Sequence, residues 1–364
     1  MLEENAARYA SWLVEGDMFY EDQRWNEAGT AYEHALALNP EGSAQAWYRL
    51  GNVREEQGRD AEALDCFEKA VALEPGHARA WNNLGGARQR LGRPAAIDAY
   101  QRSIAADPDL VQPRVNLGRL YSGRGEHDLA ADCFRRGLER HPDDPVLIHL
   151  ADAASGHATR RASAAYVRRL FDDAAPKFEH NLVDTLGYHV PKDLVALALP
   201  LLRPGARVID IGCGTGLVGA ALAGMDAQLE GVDLSPRMLV LARARGVYAR
   251  LHEGDLVEFL GAMDARSAHA VFATDVFLYI GDLEPVFSAA ARVLAPGGIF
   301  AFSVEELGEG DYRLMPHGHY AQSTTYLRTL AARYGMAEQR MERVALRREG
   351  AELVSGWLAV LTAA

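Results

Sequence analysis

A glycine-rich turn and two later acids carry the most chemical information in this sequence of 364 residues. The turn, residues 210–216 (DIGCGTG), follows the apolar run ARVIDIG and opens a helical pattern. Glycines there let a ligand approach the backbone where side chains would clash. Asp233 and Asp255 each end a later predicted strand. Because the carboxyl ends of parallel strands meet at one sheet edge, we expect Asp210, Asp233 and Asp255 to surround one ligand.

The acids discriminate between two kinds of nucleotide ligand. A glycine-rich turn alone is also compatible with NAD, but NAD places a phosphate at this turn, where the Asp210 carboxylate would repel it. Asp210 suits an ammonium group instead. Asp233, 17 residues after Gly216, suits a ribose diol, and Asp255 suits the adenine amine. The pattern therefore predicts S-adenosylmethionine as cofactor and S-adenosylhomocysteine as its product.

Alternating strands and helices must position this turn. Five predicted strands alternate with helices: ARVIDIG, QLEGVDLS, VYARLHEGDL, HAVFATDV and IFAFSVEE. A late helix over 322–334 precedes two long β segments, about 337–347 and 352–363, which indicate an antiparallel hairpin at one edge. This alternation predicts right-handed crossovers and an α/β doubly wound, Rossmann-like, seven-stranded domain over residues 159–364.

The first part of the chain contains a repeat of about 34 residues. Prolines recur at positions 40, 75, 108 and 142, each after an alanine-rich helical pattern. The early aromatic of each copy is Trp12, Trp47 and Trp81, with Arg114 as a departure in the fourth. The crossing glycine and the later aromatic are Gly16 with Tyr32, Gly51 with Phe67, Gly85 with Tyr100, and Gly118 with Phe134. Stacked helix pairs share one core, so the pattern predicts an all-α solenoid.

Both halves resemble known families. Residues 9–144 resemble four tetratricopeptide repeats, and residues 145–158 would supply their capping helix, which sets the first domain at 1–158. Residues 170–364 resemble the class I S-adenosylmethionine-dependent methyltransferases. The segments LFDDAAPKFEHNLVDTLGYHVPKDL, GVDLSPRMLVLARARGVYARLHEGDL and DVFLYIGDLEPVF are similar to bacterial predicted methyltransferases that contain tetratricopeptide repeats.

The methyltransferase resemblance implies which residues contact the cofactor. The methionine part is implied to lie against Asp210, Gly212, Cys213, Gly214 and Gly216, with Cys213 contributing mainly backbone. The ribose and adenine are implied to lie against Asp233, Leu234, Met238, Asp255 and Leu256. The sulfonium is implied to lie beside Thr274 and Asp275, under a lid formed by Phe171 and Phe178. Helix packing is the alternative role for the two phenylalanines.

Methyl transfer needs a nucleophile in line with the sulfonium, and transfer to oxygen or nitrogen can also use a base. Two clusters offer such groups: one holds His180, Tyr188 and His189, and the other holds Glu305, Glu306, His317, His319 and Tyr320. Tyr279 follows the fourth strand, close to the expected methyl position. We predict Tyr279, His319 and His180 as catalytic residues. His317 and His319 lack a convincing third ligand, so no metal site is predicted.

Composition and charge exclude several classes of protein. Hydrophobic residues at 49% and charged residues at 24% argue against global disorder. With 38 basic and 50 acidic residues the net charge is −12, which disfavours a nucleic-acid partner. The first residues are acidic, whereas a secretory signal peptide begins with basic residues. The apolar stretch 194–202 is too short to span a bilayer. The three cysteines fit a reducing compartment. These features predict a cytoplasmic protein without a membrane segment.

Three functions remain open on the sequence alone. The predicted one is a methyltransferase acting on a peptide or protein acceptor that the repeats dock. Inner repeat faces with Tyr48, Asn52, Asn82 and Arg119, and acidic Glu55 and Glu56, suit an extended, partly basic peptide. The alternative is a small-molecule O- or N-methyltransferase whose repeats serve assembly, as a homo-oligomer, or partner binding. A non-catalytic adaptor is disfavoured by the intact glycines and acids.

Overall fold

Two units with different secondary structure make up the chain, Met1–Asp143 and Asp144–Ala364. The computed structural model describes residues 2–39, 43–157, 159–175, 178, 188–349 and 352–364. The sequence-based division at 158/159 differs from this one by one helix, Pro145–Ser155, which was expected to cap the repeats and lies in the second unit. No helix among the described residues has both the length and the apolar character that a membrane crossing requires.

The first unit is helical throughout its described part. Its helices pack in successive pairs: α1 Leu2–Glu21 with α2 Trp25–Leu38, α3 Ala44–Glu56 with α4 Asp60–Leu73, α5 Ala78–Arg90 with α6 Ala96–Ala106, and α7 Val111–Gly123 with α8 His127–Leu138. The buried aromatic and alanine side chains between pairs form the shared core that a repeat array requires. The predicted solenoid is therefore confirmed as four helix pairs.

The four predicted glycine–aromatic pairs explain why the helices of each pair approach so closely. A Cβ placed on Gly16, Gly51, Gly85 or Gly118 would lie 2.5, 2.4, 2.6 or 2.3 Å from a ring atom of Tyr32, Phe67, Tyr100 or Phe134. Each ring is at most 2% exposed. Interiors packed at this density have no room for the added methyl group. The role predicted for these eight residues is confirmed.

We expect Gly118→Ala to destabilise the repeat unit by about 1–3 kcal/mol, because the buried Phe134 ring would have to move. Gly123→Ala, in the same helix α7, is the matched control, since its Cβ would meet nothing within 4 Å. That change should be neutral or stabilise by up to about 1 kcal/mol, because alanine favours helix. Urea unfolding followed by circular dichroism measures both. Equal stability of the two variants would contradict the close-packing argument.

The second unit is an α/β domain. Its helices are α9 Pro145–Ser155, α10 Ala164–Ala174, α11 Val190–Ala198, α12 Leu217–Ala221, α13 Pro236–Ala244, α14 Leu256–Ala262, α15 Glu284–Val293 and α16 Thr324–Arg333. Its strands are β1 Ala206–Ile211, β2 Ala227–Asp233, β3 Arg250–Glu253, β4 Ala268–Ala273, β5 Leu294–Glu306, β6 Tyr312–Leu314, β7 Tyr320–Gln322, β8 Met336–Glu349 and β9 Glu352–Ala363. Helices and strands alternate up to β5, as the sequence predicts.

One sheet with apolar layers on both faces organises this unit. Strands β3, β2, β1, β4 and β5 are parallel in that order, β9 pairs antiparallel with β5, and β8 pairs antiparallel with β9. Within β1, Val208 packs in one buried cluster with α11, and Ile209 and Ile211 pack in another with α15. Alternation of side chains along a buried strand produces this division. The doubly wound sheet and the terminal hairpin are confirmed.

The described sheet has nine strands rather than the predicted seven. The two additional strands, β6 and β7, pair antiparallel, and β7 also pairs with the end of β5. Strands of three residues are too short to show a period, so β6 and β7 have no signature in the sequence. Gln322 fixes β7 in place, since its buried side-chain amide donates to the carbonyls of Phe277 and Ile280.

Candidate active site

A partly enclosed cavity of about 260 Å³ lies at the carboxyl ends of the parallel strands. Its walls come from the turns after β1, β2, β3 and β4, from helix α10, and from the β6–β7 hairpin. In open α/β sheets this edge is where ligands bind, because the connections to the helices diverge there. The cavity is therefore the candidate active site.

Thirteen of the predicted site residues line this cavity. They are Phe171, Phe178, Gly212, Cys213, Gly214, Asp233, Leu234, Asp255, Leu256, Thr274, Asp275, Tyr279 and His319. Asp210, Gly216 and Met238 do not line it, and His180 lies outside the described residues. Residues from four strand ends and one helix thus converge, although the role of each stays a prediction.

Asp210 lies behind the glycine-rich turn rather than on the cavity wall. The hydroxyl of Tyr248 donates to its Oδ2 at 2.6 Å, and its Oδ1 has no hydrogen-bond partner among the described residues. Complete burial raises the pKa of Asp210 to about 7, although the Tyr248 hydrogen bond opposes this shift. The expected contact between Asp210 and the ligand ammonium stays a prediction. Tyr248 lies 38 residues away, and no sequence pattern had singled it out.

Gly214 and Gly216 are both left-handed, with φ +52° and +88°, but for different reasons. A Cβ at Gly214 would meet nothing within 4 Å, so this glycine leaves open space where a ligand can approach the backbone. A Cβ at Gly216 would lie 2.8 Å from the Tyr248 ring. Gly216 therefore permits close packing against Tyr248, and its expected contact with the cofactor stays a prediction. Met238 is likewise buried in α13, where its amide donates to Ser235 Oγ at 3.1 Å.

Asp233 ties the end of β2 to the glycine-rich turn. Its Oδ2 accepts from the Gly214 amide at 2.8 Å, and its Oδ1 accepts from the Ser235 amide at 2.8 Å. Burial raises the pKa of Asp233, and the two amides partly offset that shift. A carboxylate oxygen has two acceptor positions, so each oxygen keeps one for a ribose hydroxyl. The geometry fits the predicted ribose contact.

Asp255 caps helix α14 and pairs with a residue that the sequence analysis missed. Its Oδ1 accepts from the amides of Val257 and Glu258 at 2.9 and 3.2 Å, and its Oδ2 accepts from the Arg161 guanidinium. Although burial opposes the shift, Arg161 and these amides lower the pKa of Asp255. Arg161 also lines the cavity, so it shares the predicted adenine end with Asp255.

Aromatic rings form the wall opposite the strand-end acids. Tyr279 meets Phe171 edge-to-face, with ring centroids 5.4 Å apart, and meets His319 edge-to-face at 5.8 Å. Such perpendicular arrangements place the positive edge of one ring against the negative face of another. The two described residues of the predicted catalytic set, Tyr279 and His319, are therefore adjacent.

His319 belongs to a buried charged cluster. Its Nδ1 lies 3.0 Å from Glu305 Oε1, and the Arg347 guanidinium contacts the same carboxylate oxygen. Burial would raise the pKa of Glu305, but His319, Arg347 and His317 together hold it at about 2. An ionised carboxylate only accepts hydrogen bonds and a guanidinium only donates them, so Nδ1 of His319 has a partner in either tautomer. When Nδ1 donates to Glu305, Nε2 carries the lone pair and can accept a proton.

Glu305, His317 and His319 also place metal-ligand-type atoms within 4.8 Å of one another. The third possible ligand, Glu305, comes from β5, and the spacing of the two histidines in the sequence does not indicate it. However, Arg347 Nη2 contacts Glu305 and lies 2.9 Å from His319 Nδ1. A guanidinium already provides positive charge at these atoms, and a divalent cation would be repelled by it. We interpret the cluster as a base held by a carboxylate, and the absence of a metal stays a prediction.

Comparisons with known proteins decide the family. A family model described as a methyltransferase domain matches residues 209–302, and four tetratricopeptide repeat models match residues 16–58, 44–77, 61–111 and 114–146. A ubiquinone biosynthesis O-methyltransferase of Xanthomonas oryzae pv. oryzae (strain PXO99A) is 33% identical over 167 residues, which are 42% of this chain and 69% of that protein. The chain belongs to the S-adenosylmethionine-dependent methyltransferases. This methyltransferase also carries tetratricopeptide repeats, as predicted.

Two solved structures are each similar to part of this chain. Magnesium protoporphyrin IX methyltransferase from Synechocystis PCC 6803 with bound SAM is 17% identical, with 48% of this chain and 78% of that chain covered and a TM-score of 0.38. The crystal structure of MamA is 27% identical, with 37% of this chain and 78% of that chain covered and a TM-score of 0.36.

The cofactor of the methyltransferase is S-adenosylmethionine, as the sequence predicts. The open backbone at Gly214 and the carboxylate of Asp233 on the cavity wall fit this group. When bound, the cofactor supplies an electrophilic methyl group. Asp233 would then hold the ribose, and the turn around Gly214 would face the methionine part.

Proposed function

We propose that this methyltransferase methylates a hydroxyl oxygen of a small aromatic molecule, with His319 as the general base. The observation that carries this proposal is the position of His319 on the cavity wall with its Nδ1 held by Glu305. The name of the similar ubiquinone biosynthesis O-methyltransferase supports oxygen as the acceptor atom. Small-molecule methylation is the alternative that the sequence leaves open, and the cavity walls support it.

The proposed proton transfer uses the described residues directly. The bound cofactor would supply the methyl group to the acceptor oxygen, and the hydroxyl proton of the acceptor would pass to His319 Nε2. Glu305 accepts from Nδ1 in this tautomer, which leaves the lone pair on Nε2, and Arg347 holds the Glu305 carboxylate. A positioned base of this kind contributes about 10²–10⁴-fold to the rate.

The cavity walls favour an aromatic acceptor. Phe171 and Tyr279 present ring edges and faces, and Leu278 and Ile280 add apolar surface beside them. A flat ring can make the same edge-to-face contacts that Tyr279 makes with its neighbours. An aromatic hydroxyl also loses its proton more readily than an aliphatic one, because the phenolic pKa is about 10.

An acceptor screen tests the proposal. The full-length enzyme is incubated with methyl-labelled S-adenosylmethionine and, separately, with phenols, vicinal dihydroxybenzenes, aliphatic alcohols, amines and a peptide array. We expect label only on aromatic hydroxyl compounds, with the methyl located on oxygen by nuclear magnetic resonance. Label on nitrogen alone, or on peptides alone, would contradict it.

A row of asparagines in the repeats favours a second candidate, an acceptor on a peptide or protein. Asn83 donates to Asn52 Oδ1 at 2.9 Å, Asn82 donates to Asn83 Oδ1 at 3.0 Å, and Asn116 donates to Asn82 Oδ1 at 3.0 Å. Side-chain amides can pair with the backbone of an extended peptide, because each offers donors and an acceptor. Glu55 pairs with Arg90 in the structure, which reduces the attraction expected for basic peptides.

For a peptide or protein acceptor, we expect Tyr48→Ala with Asn82→Ala to raise KM about 30-fold, since each of the two lost contacts is worth about 1 kcal/mol. The turnover number should change little, because docking contacts act equally in the ground and transition states. Gln101→Ala, an exposed change on α6, is the control. Kinetics with each labelled acceptor measure the effect. A double variant that behaves as wild type on every acceptor removes this second candidate.

A further inference from the structure

We propose that His149, on helix α9, positions His319 through the carbonyl of Gly318. Helix α9, which follows the last repeat in the chain, would then contribute a residue that positions part of the candidate active site. This inference rests on the proposed function, in which His319 is the base. His149 itself touches no reacting atom in this proposal, so it is a positioning residue.

The contact between His149 and Gly318 is direct and buried. His149 Nε2 donates to the Gly318 carbonyl at 2.7 Å, and His149 is 5% exposed. Its ring stacks on Tyr166 of α10, with centroids 4.1 Å apart and planes inclined by 24°. The imidazole is therefore fixed by a ring contact on one side and by a hydrogen bond at its edge.

Gly318 precedes His319 directly, and its backbone conformation requires glycine. Its φ is +97°, and a Cβ at this position would lie 3.2 Å from Leu150, which is the neighbour of His149 on α9. The turn closes on itself, because the Met315 amide donates to the His319 carbonyl and the Gly318 amide donates to the Met315 carbonyl, both at 2.8 Å. Because the turn is tight, the hydrogen bond that fixes the Gly318 carbonyl also restricts the position of the next residue, His319.

The chain between α9 and α10 holds Tyr279 in a similar way. The Ala162 amide donates to the Tyr279 carbonyl at 2.9 Å, and the amides of Gly281 and Asp282 donate to the Arg160 carbonyl at 2.9 Å. Arg161 and Ile280 form an antiparallel bridge between these contacts. Both acceptor-facing residues, Tyr279 and His319, are thus attached to the segment 149–162. We therefore expect a fragment of this chain to be active only if it retains the residues from about 144 onwards.

Variants at His149 separate the hydrogen bond from the ring contact. In the full-length enzyme, His149→Phe keeps a ring against Tyr166 but removes the donor, and His149→Gln restores a donor near the Nε2 position. We expect His149→Phe to lower kcat at least tenfold, since small misplacements of a catalytic group cost up to about 10²-fold. His149→Gln should stay within about threefold of wild type. The affinity for S-adenosylmethionine, measured by calorimetry, should not change.

Hydrogen exchange adds a readout that does not depend on catalysis. In His149→Phe, amides of the turn 315–319 should exchange faster, while those of strand β4 should exchange as in wild type. Ile148→Ala, on the same helix and 42% exposed, is the control and should change neither kcat nor exchange. If His149→Phe does not fold, kcat of His149→Gln is compared with kcat of His149→Asn. The shorter asparagine cannot reach the Gly318 carbonyl, so only the glutamine variant keeps the hydrogen bond.

The outcomes distinguish this inference from the proposed function. If His319→Ala retains wild-type kcat, the proposed base is wrong, whatever His149 does. If His319→Ala loses activity but His149→Phe keeps both wild-type kcat and wild-type exchange, the positioning role is overturned. Equal kcat in the glutamine and asparagine variants overturns it as well. A fall in kcat with faster exchange in His149→Phe, restored by glutamine, supports it.

Discussion

His319→Ala is expected to lower kcat about 10²–10⁴-fold, the range that a positioned general base contributes. Its Nε2 is the acceptor in the proposed mechanism, in the tautomer whose Nδ1 donates to Glu305. Asp233 and the glycine-rich turn are unaltered by this change, so the dissociation constant of S-adenosylmethionine should remain that of wild type. Steady-state kinetics with the acceptor from the screen, together with calorimetry of cofactor binding, measure both quantities.

His317→Ala is the matched control for this prediction. His317 Nε2 lies 3.6 Å from Glu305 Oε2, and His317 does not line the cavity. We expect this variant to keep kcat within about fivefold of wild type, since an ion pair with a partly exposed partner is worth at most about 1 kcal/mol. A metal bound by Glu305, His317 and His319 would give a different pattern. In that case His317→Ala would lose as much activity as His319→Ala, and a chelator would abolish activity in wild type.

Asp233→Ala is expected to weaken binding of S-adenosylmethionine and S-adenosylhomocysteine alike. The lost hydrogen bonds to a charged acceptor are worth about 1.5–3 kcal/mol, or about 10–150-fold in the dissociation constant. The change also removes the acceptor for the amides of Gly214 and Ser235, which adds to the loss. Calorimetry with each ligand measures it, and the increase in melting temperature that each ligand gives should shrink in parallel.

Two further measurements decide whether this loss is specific. Asp264→Ala removes an exposed acid of the same domain and should leave cofactor binding unchanged. Asp233→Asn keeps an acceptor oxygen but loses its charge, so we expect an intermediate affinity. Unchanged S-adenosylmethionine binding in Asp233→Ala would contradict the assignment of the ribose site, and tight binding of NAD would contradict the cofactor itself.

Features that are local, or that follow from the direction of strands, could be predicted from the sequence alone. The repeats were predictable because each glycine–aromatic pair, such as Gly118 and Phe134, recurs at a fixed spacing within one helix pair. The cofactor cavity was predictable because Asp233 and Asp255 end parallel strands, and such ends coincide at one sheet edge. These patterns depend on the order of elements and not on details of packing.

Contacts between side chains that are far apart in the sequence could be identified only from the three-dimensional structure. Glu305, His319 and Arg347 come from β5, the β6–β7 hairpin and β8, and Arg161 reaches Asp255 across 94 residues. Helix α9 follows the last repeat in the chain, yet its His149 holds Gly318, 169 residues away. A contact that involves one residue on each of two distant elements produces no repeating pattern and no fixed spacing in the sequence. The partner of each residue is fixed only when the sheet brings those elements together, because hydrogen bonds and ion pairs form over about 3–4 Å.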